Sequence, residues 1–233
     1  MDLATAMVDM PERVHLIGCA TLSVDLEQVA ARLAPVLRLE FLPAGLHDDT
    51  RELRRRLQRA VDEASEAGEC DLIAIGYGLC GGGTAGLRAR GVPLALPRVS
   101  DCIAMLLGSD AAYRQQLAGC PGTYYVSAGW VESQAERLSG DPDEWIENKA
   151  VGADFERLRS RYGRENADEV RRFLDSWKRN YRRAVFIDTG AGGRRAYYES
   201  VARALAVRYG WRYEKLTGTH DLFVKLLTAE SSS

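Results

Sequence analysis

Three short apolar runs, Val14–Cys19 (VHLIGC), Leu37–Leu42 (LRLEFL) and Leu72–Gly76 (LIAIG), are separated by two stretches with helical periodicity. This alternation constrains the fold more than any other feature. A strand–helix–strand unit brings the chain back to the starting edge, so successive strands run parallel. The first helical stretch, Val24 to Leu33, places Leu26, Val29, Ala30 and Leu33 on one face and stops at Pro35. The second, Thr50 to Ala67, aligns Leu53, Leu57, Val61 and Ala64, has Asp48, Asp49 or Thr50 as its cap, and ends before Gly68. Leu72–Gly76 is the most apolar strand and is expected in the middle of the sheet.

Beyond it, 93–96 reads as a short fourth strand, Asp101 as the cap of a helix running to Gly108, 111–118 as a further helix and 123–127 (TYYVS) as a fifth strand. From Val131 the composition turns charged and strand-poor, with Trp145, Phe155, Phe173 and Trp177 among its apolar members and a helix start at Asp141-Pro142. The α/β rhythm resumes at Ala184 to Ile187, followed by the DTGAGG turn, a helix over 195–209, a strand over 211–216 and a last helix over 222–227. The expectation is a mostly parallel, Rossmann-like α/β protein of two lobes. Residues 1–130 would form the lobe carrying the functional site, 131–180 a helical insert, and 181–233 a smaller lobe packing on the first.

A formal net charge of −2 leaves no electrostatic footprint for nucleic acid. No apolar run approaches the roughly 18 residues of a membrane span. The N-terminus, MDLATAMVDMPERV, lacks the basic start of a secretory signal, and five cysteines cannot all pair with one another. These features point to a cytoplasmic protein with reduced thiols.

Strand polarity sorts the cysteines. Residues that follow parallel strands share the carboxyl edge of the sheet, where open α/β folds build their sites. Cys19 ends the first strand, His47 follows the second, Cys80 follows the third and Cys102 lies a few residues beyond the fourth. Cys70 and Cys120 precede strands and fall on the amino edge. Three thiolates and an imidazole form a zinc ligand set, and three thiolates alone can hold an iron–sulfur cluster with one open iron. Soft sulfur suits either metal. The three glycines after Cys80, Gly81, Gly82 and Gly83, let the backbone approach a bound group closely. His47, Asp101 and Arg98 are the candidate catalytic groups on this edge, with Asp188 a further candidate for orienting substrate. A metal-free Cys–His pair, Cys80 or Cys102 with His47, is the competing chemistry.

Gly76, Gly78 and Gly81 match a dinucleotide-binding spacing, but on the third strand and without the acidic residue that closes such a site. The absence of a G-x-S-x-G elbow, with only three histidines present, argues against a serine hydrolase.

LPAGLH at 42–47, YGLCGGGTAGL at 77–87, DCIAMLLGS at 101–109, GTYYVSAGW at 122–130, YGRENA at 162–167, YRRAVFIDTG at 181–190 and LTG at 216–218, with Cys19 upstream, resemble the domain of unknown function 1638 family. The resemblance implies that Cys19, His47, Cys80 and Cys102 occupy the family's cysteine and histidine blocks. Some relatives carry histidine where this chain has Asp101. Members occur beside corrinoid proteins and their methyltransferases, which implies one-carbon metabolism, a corrinoid reached through a partner, and a corrinoid protein or methyltransferase as that partner.

The resulting expectation is a metal-thiolate protein, zinc or iron–sulfur, acting as an enzyme on a small molecule of one-carbon or sulfur metabolism. The alternatives are a non-enzymatic accessory of a corrinoid methyltransferase system and a metal-free cysteine enzyme.

Overall fold

A computed structural model describes residues 11–33, 36–138, 163 and 176–228. It contains two parallel sheets. The first comprises β1 (Val14–Cys19), β2 (Val36–Leu42), β3 (Leu72–Gly76) and β4 (Leu94–Ala95), in the order β2-β1-β3-β4. β1 and β3 are buried along their whole length, as central strands covered on both faces must be. The second sheet comprises β5 (Thr123–Val126), β6 (Arg183–Asp188) and β7 (Arg212–Thr217), with β6 in the middle.

The strand expected to be fifth in the first sheet therefore pairs elsewhere. Thr123 lies opposite Arg183 in register, and the Gly122 carbonyl accepts from the Arg182 amide. Arg183 reinforces this join. Its buried guanidinium donates to Thr123 Oγ1, to the carbonyl of Gln116 and to Glu214 on β7.

The helices follow from local chemistry. α1 (Ser23–Ala30) and α2 (Thr50–Ala67) connect the first three strands, and Asp49 caps α2 by accepting from the Arg51 and Glu52 amides. Gly68 ends α2 in the left-handed conformation that glycine adopts without steric cost. α2 packs Leu53, Leu57 and Val61 onto Ile17, Ile73 and Ile75, one face of the first sheet. The residues alternating with these point the other way. Leu16 and Ala74 join Leu26 of α1, Met105 of α3 (Cys102–Leu107), Val185 and Ile187 of β6, and Phe223 of α7 (Asp221–Leu227) in one core shared by both sheets. On the far side, α5 (Ala128–Leu138) and α6 (Arg195–Tyr209) cover β6 through Val131, Tyr198 and Val201. α4 (Asp110–Gly119) leads into β5. The apolar members of the expected helical insert from Trp145 to Phe173, and its start at Asp141-Pro142, lie outside the described residues. No helix among the described residues is long and apolar enough to cross a membrane.

Asp188, at the carboxyl end of β6, accepts from Arg195 Nε at 3.1 Å and the Gly190 amide at 3.0 Å, and Lys215 Nζ stands 3.0 Å away. The Arg195 guanidinium is the main influence holding this carboxyl at about 2, below its ordinary value of 3.8. A folded-state pKa below the unfolded one stabilises the fold above pH 3.8, and the contribution disappears as pH falls through 2. Asp188→Asn is expected to cost about 1–2 kcal/mol at neutral pH, because exposure of both cations screens the pairs. Urea titrations at neutral pH and near pH 2 check this, since the wild-type and variant curves should converge in acid.

Candidate functional site

Three turns at the carboxyl edge of the first sheet converge on a cavity of about 650 Å³, within the range of small-molecule pockets. β1 delivers Cys19 directly. Thr21, two residues on, donates its hydroxyl to the Cys19 sulfur at 3.1 Å. β3 runs out into Tyr77 and the Cys80 turn, which is tied to the turn before α3 by two backbone bonds of 2.8 Å, Leu79 N to Val99 O and Cys80 N to Ser100 O. α3 begins at Cys102, and Asp101 caps it through Oδ1, which accepts from the Ile103 and Ala104 amides.

The two cysteine turns are pressed together at Gly78. A Cβ built there would meet Asp101 Cα and N at 2.6 Å. Cys80 itself has φ +46°, making it the single non-glycine residue among those described with positive φ. A bulky backbone in that region costs of order 1–3 kcal/mol and persists where surrounding bonds enforce it. Here the enforcing contacts are the two bonds to the neighbouring turn and Thr84 Oγ1, which donates to the Gly78 carbonyl at 3.1 Å.

Cys19, Cys80, Cys102, Asp101, Gly81 and His47 all line the cavity. His47 sits at its rim with its side chain 58% exposed and Nε2 3.5 Å from Asp48 Oδ1. The other predicted residues fall elsewhere. Arg98 is exposed and does not line the cavity. Gly82 uses its carbonyl to accept from Arg54, and Gly83 packs where a Cβ would strike Leu53 at 2.4 Å, so both support the turn from behind. Asp188 is engaged by its ion pairs away from the cavity. Cys70 packs under α2 with its sulfur 4.0 Å from the Ala64 carbonyl, and Cys120 lies beside the Gly122 carbonyl at the start of β5. His220 places Nε2 3.0 Å from the buried Asp25 Oδ1.

Several lining residues fall outside the sequence-based set. Tyr77 and Thr21 follow the same strands as the cysteines, so strand polarity carried the signal for both. Tyr113, Tyr124, Tyr125, Trp130 and Tyr181 form an aromatic wall contributed largely by β5 and its flanks. Tyr113 and Tyr125 meet edge to face, 6.0 Å between centroids. None of the described residues lining the cavity is a lysine or arginine.

The electrostatics follow from that composition. Burial pushes the Cys80 thiol up to about 12, with Cys19 and Asp101 adding to the shift. Burial likewise raises Cys102 well above its ordinary value, again with Cys19 and Asp101 contributing. Burial, followed by Cys19, keeps the Tyr77 phenol protonated. Among the described residues, no three Cys, His, Asp or Glu side chains are grouped so as to hold a metal ion as they stand.

Fold and site together define a parallel α/β protein with a thiol-lined cavity at the carboxyl edge of one sheet, without lysine or arginine among its described lining residues. Residues 41–227 match the family described as Protein of unknown function (DUF1638), and the chain belongs to it. Neither the curated proteins nor the solved structures include a match to it.

Proposed function

We propose that the protein is a metal-thiolate enzyme in which Cys19, Cys80 and Cys102 hold zinc or an iron–sulfur cluster and the cavity admits a small-molecule substrate. The observation that supports this best is the convergence of three thiols in a cavity whose described lining contains no lysine or arginine. Buried thiols without a cation stay protonated, and thiolates there call for a cation from outside the chain. The donor set, three cysteines lining one cavity with His47 at its rim, fits a soft or borderline metal in its chemistry, while the side chains as they stand are not grouped at ligand distance. His47 would serve as fourth ligand or as an acid–base group at the mouth. Such a centre, when bound, supplies Lewis acidity and activation of a coordinated thiol or one-carbon substrate. That chemistry suits the corrinoid-linked methyl transfer implied by the family resemblance, for which a corrinoid protein or methyltransferase would be the partner. Metal-free nucleophilic catalysis is less well supported, because the same burial that shields Cys80 and Cys102 opposes their ionisation.

Metal analysis and visible absorbance of anaerobically purified, dialysed protein test the proposal. Stoichiometric metal is expected, lost in Cys19→Ser, Cys80→Ser and Cys102→Ser and kept in Cys70→Ser. Metal absent from folded wild-type protein under aerobic and anaerobic conditions alike would overturn it. Retention of metal in His47→Ala would assign His47 to acid–base work. A metal that is held but inert towards small thiols would favour an accessory role over an enzyme.

A further inference from the structure

Tyr77 is 3% exposed, yet its hydroxyl finds no hydrogen-bond partner among the described residues. Leaving a buried hydroxyl unpaired costs about 1–3 kcal/mol, and such a group in a packed site calls for an explanation. The ring is anchored among Ile17, Leu53 and Ile75, so the phenol cannot swing out to water without vacating the core. Tyr77 lines the same cavity as Cys19, Cys80 and Cys102, and it shares one buried cluster with Cys19, against which Cys80 packs. Cys19 already accepts from Thr21 at 3.1 Å, and a neutral thiol is a weak acceptor with little to offer a second donor. A thiolate is a strong acceptor and takes several.

We infer that Tyr77 is a positioning residue for the metal-thiolate site, its hydroxyl donating to the Cys19 sulfur when that sulfur is a metal-bound thiolate. The inference rests on the metal-thiolate reading. It assigns the three sulfurs unequal roles. Cys19 would carry two hydroxyl donors, from Thr21 and Tyr77, which disperse its charge and make it the least electron-rich ligand. Groups of this kind around a metal typically change affinity by about 10–100-fold.

If Tyr77 merely filled space, phenylalanine would replace it without effect on the metal. Zinc affinity is measured by competition with a chelating dye, and cobalt(II) is used to record the thiolate-to-metal charge-transfer band. Tyr77→Phe is expected to weaken zinc binding about 10-fold or more and to move the cobalt band to lower energy, since the sulfur becomes more electron-rich. The metal-free protein should melt no earlier than wild type, because only an unpaired hydroxyl has been removed. Tyr213→Phe deletes another buried, unpaired hydroxyl, on a half-buried ring outside the cavity, and should leave both metal readouts unchanged. Wild-type affinity and band position in Tyr77→Phe would overturn this inference alone; a wild-type protein that binds neither metal would overturn the underlying reading. Should Tyr77→Phe not fold, fluorine NMR of fluorotyrosine-labelled wild-type sequence serves instead. One buried tyrosine resonance should shift on zinc addition, and a spectrum unchanged by bound zinc would overturn the inference.

Discussion

Gly78→Ala is expected to destabilise the protein by about 3 kcal/mol and to abolish metal binding. The new Cβ would meet the backbone of Asp101, with Cα and N at 2.6 Å and C at 2.9 Å, so no side-chain rotation relieves the overlap. The turn carrying Cys80 and the turn carrying Asp101 and Cys102 must then separate. Separation breaks the Leu79–Val99 and Cys80–Ser100 bonds that hold Cys80 at positive φ. Chemical denaturation and zinc titration of Gly78→Ala should report both losses, whereas Gly86→Ala, where no atom stands near the added carbon, should cost only the local strain of a positive φ and leave zinc binding intact. A Gly78→Ala protein with wild-type zinc affinity would show that the two turns need not touch.

Arg183→Leu is expected to cost about 3 kcal/mol, because it removes the buried cation that Thr123, Gln116 and Glu214 share in the join between β5, β6 and β7, although Glu214 keeps its pair with Arg212. Thr123 Oγ1, the Gln116 side chain and Glu214 each lose a charge-assisted bond. Glu214 is 30% exposed and can recruit water, which keeps the cost at the lower end for a broken buried pair. Because Gln116 lies on α4 and Thr123 begins β5, the loss should also loosen the aromatic wall. Equilibrium urea unfolding measures the stability, and amide exchange across Thr123–Val126 should rise more than across Leu72–Gly76. Uniform exchange in both strands would place Arg183 outside that join.

Much of the fold could be read residue by residue. Val14–Cys19, Thr50–Ala67, Leu72–Gly76 and Arg195–Tyr209 begin and end where their apolar spacing, caps and glycines place them. These signals are local, so neighbours in the chain suffice to produce them. The sheet membership of Thr123–Val126 was not legible, because its partner lies 60 residues away and a half-buried TYYV segment suits the edge of either sheet. Arg98 and Asp101 both fall after the fourth strand, and although Asp101 is legible as a helix cap, their distance from the cavity is not. Only the path of the turn turns one outward and the other into the cavity.

The site divides in the same way. Strand polarity, legible in the sequence, puts Cys19, Cys80 and Cys102 at the carboxyl ends of the first sheet's strands and Cys70 at the amino end of β3; Cys120 precedes β5, a strand of the second sheet, so that argument does not reach it. What surrounds those thiols was decided by tertiary structure. The second sheet brings the aromatic wall, Gly78 lets two turns touch, and burial, with no lysine or arginine among the described lining residues, keeps Cys80 and Cys102 protonated. Strand direction is a property of connectivity, which periodicity reveals. Desolvation and the unpaired Tyr77 hydroxyl are properties of the packed whole, arising only when elements distant in the chain close over the same space.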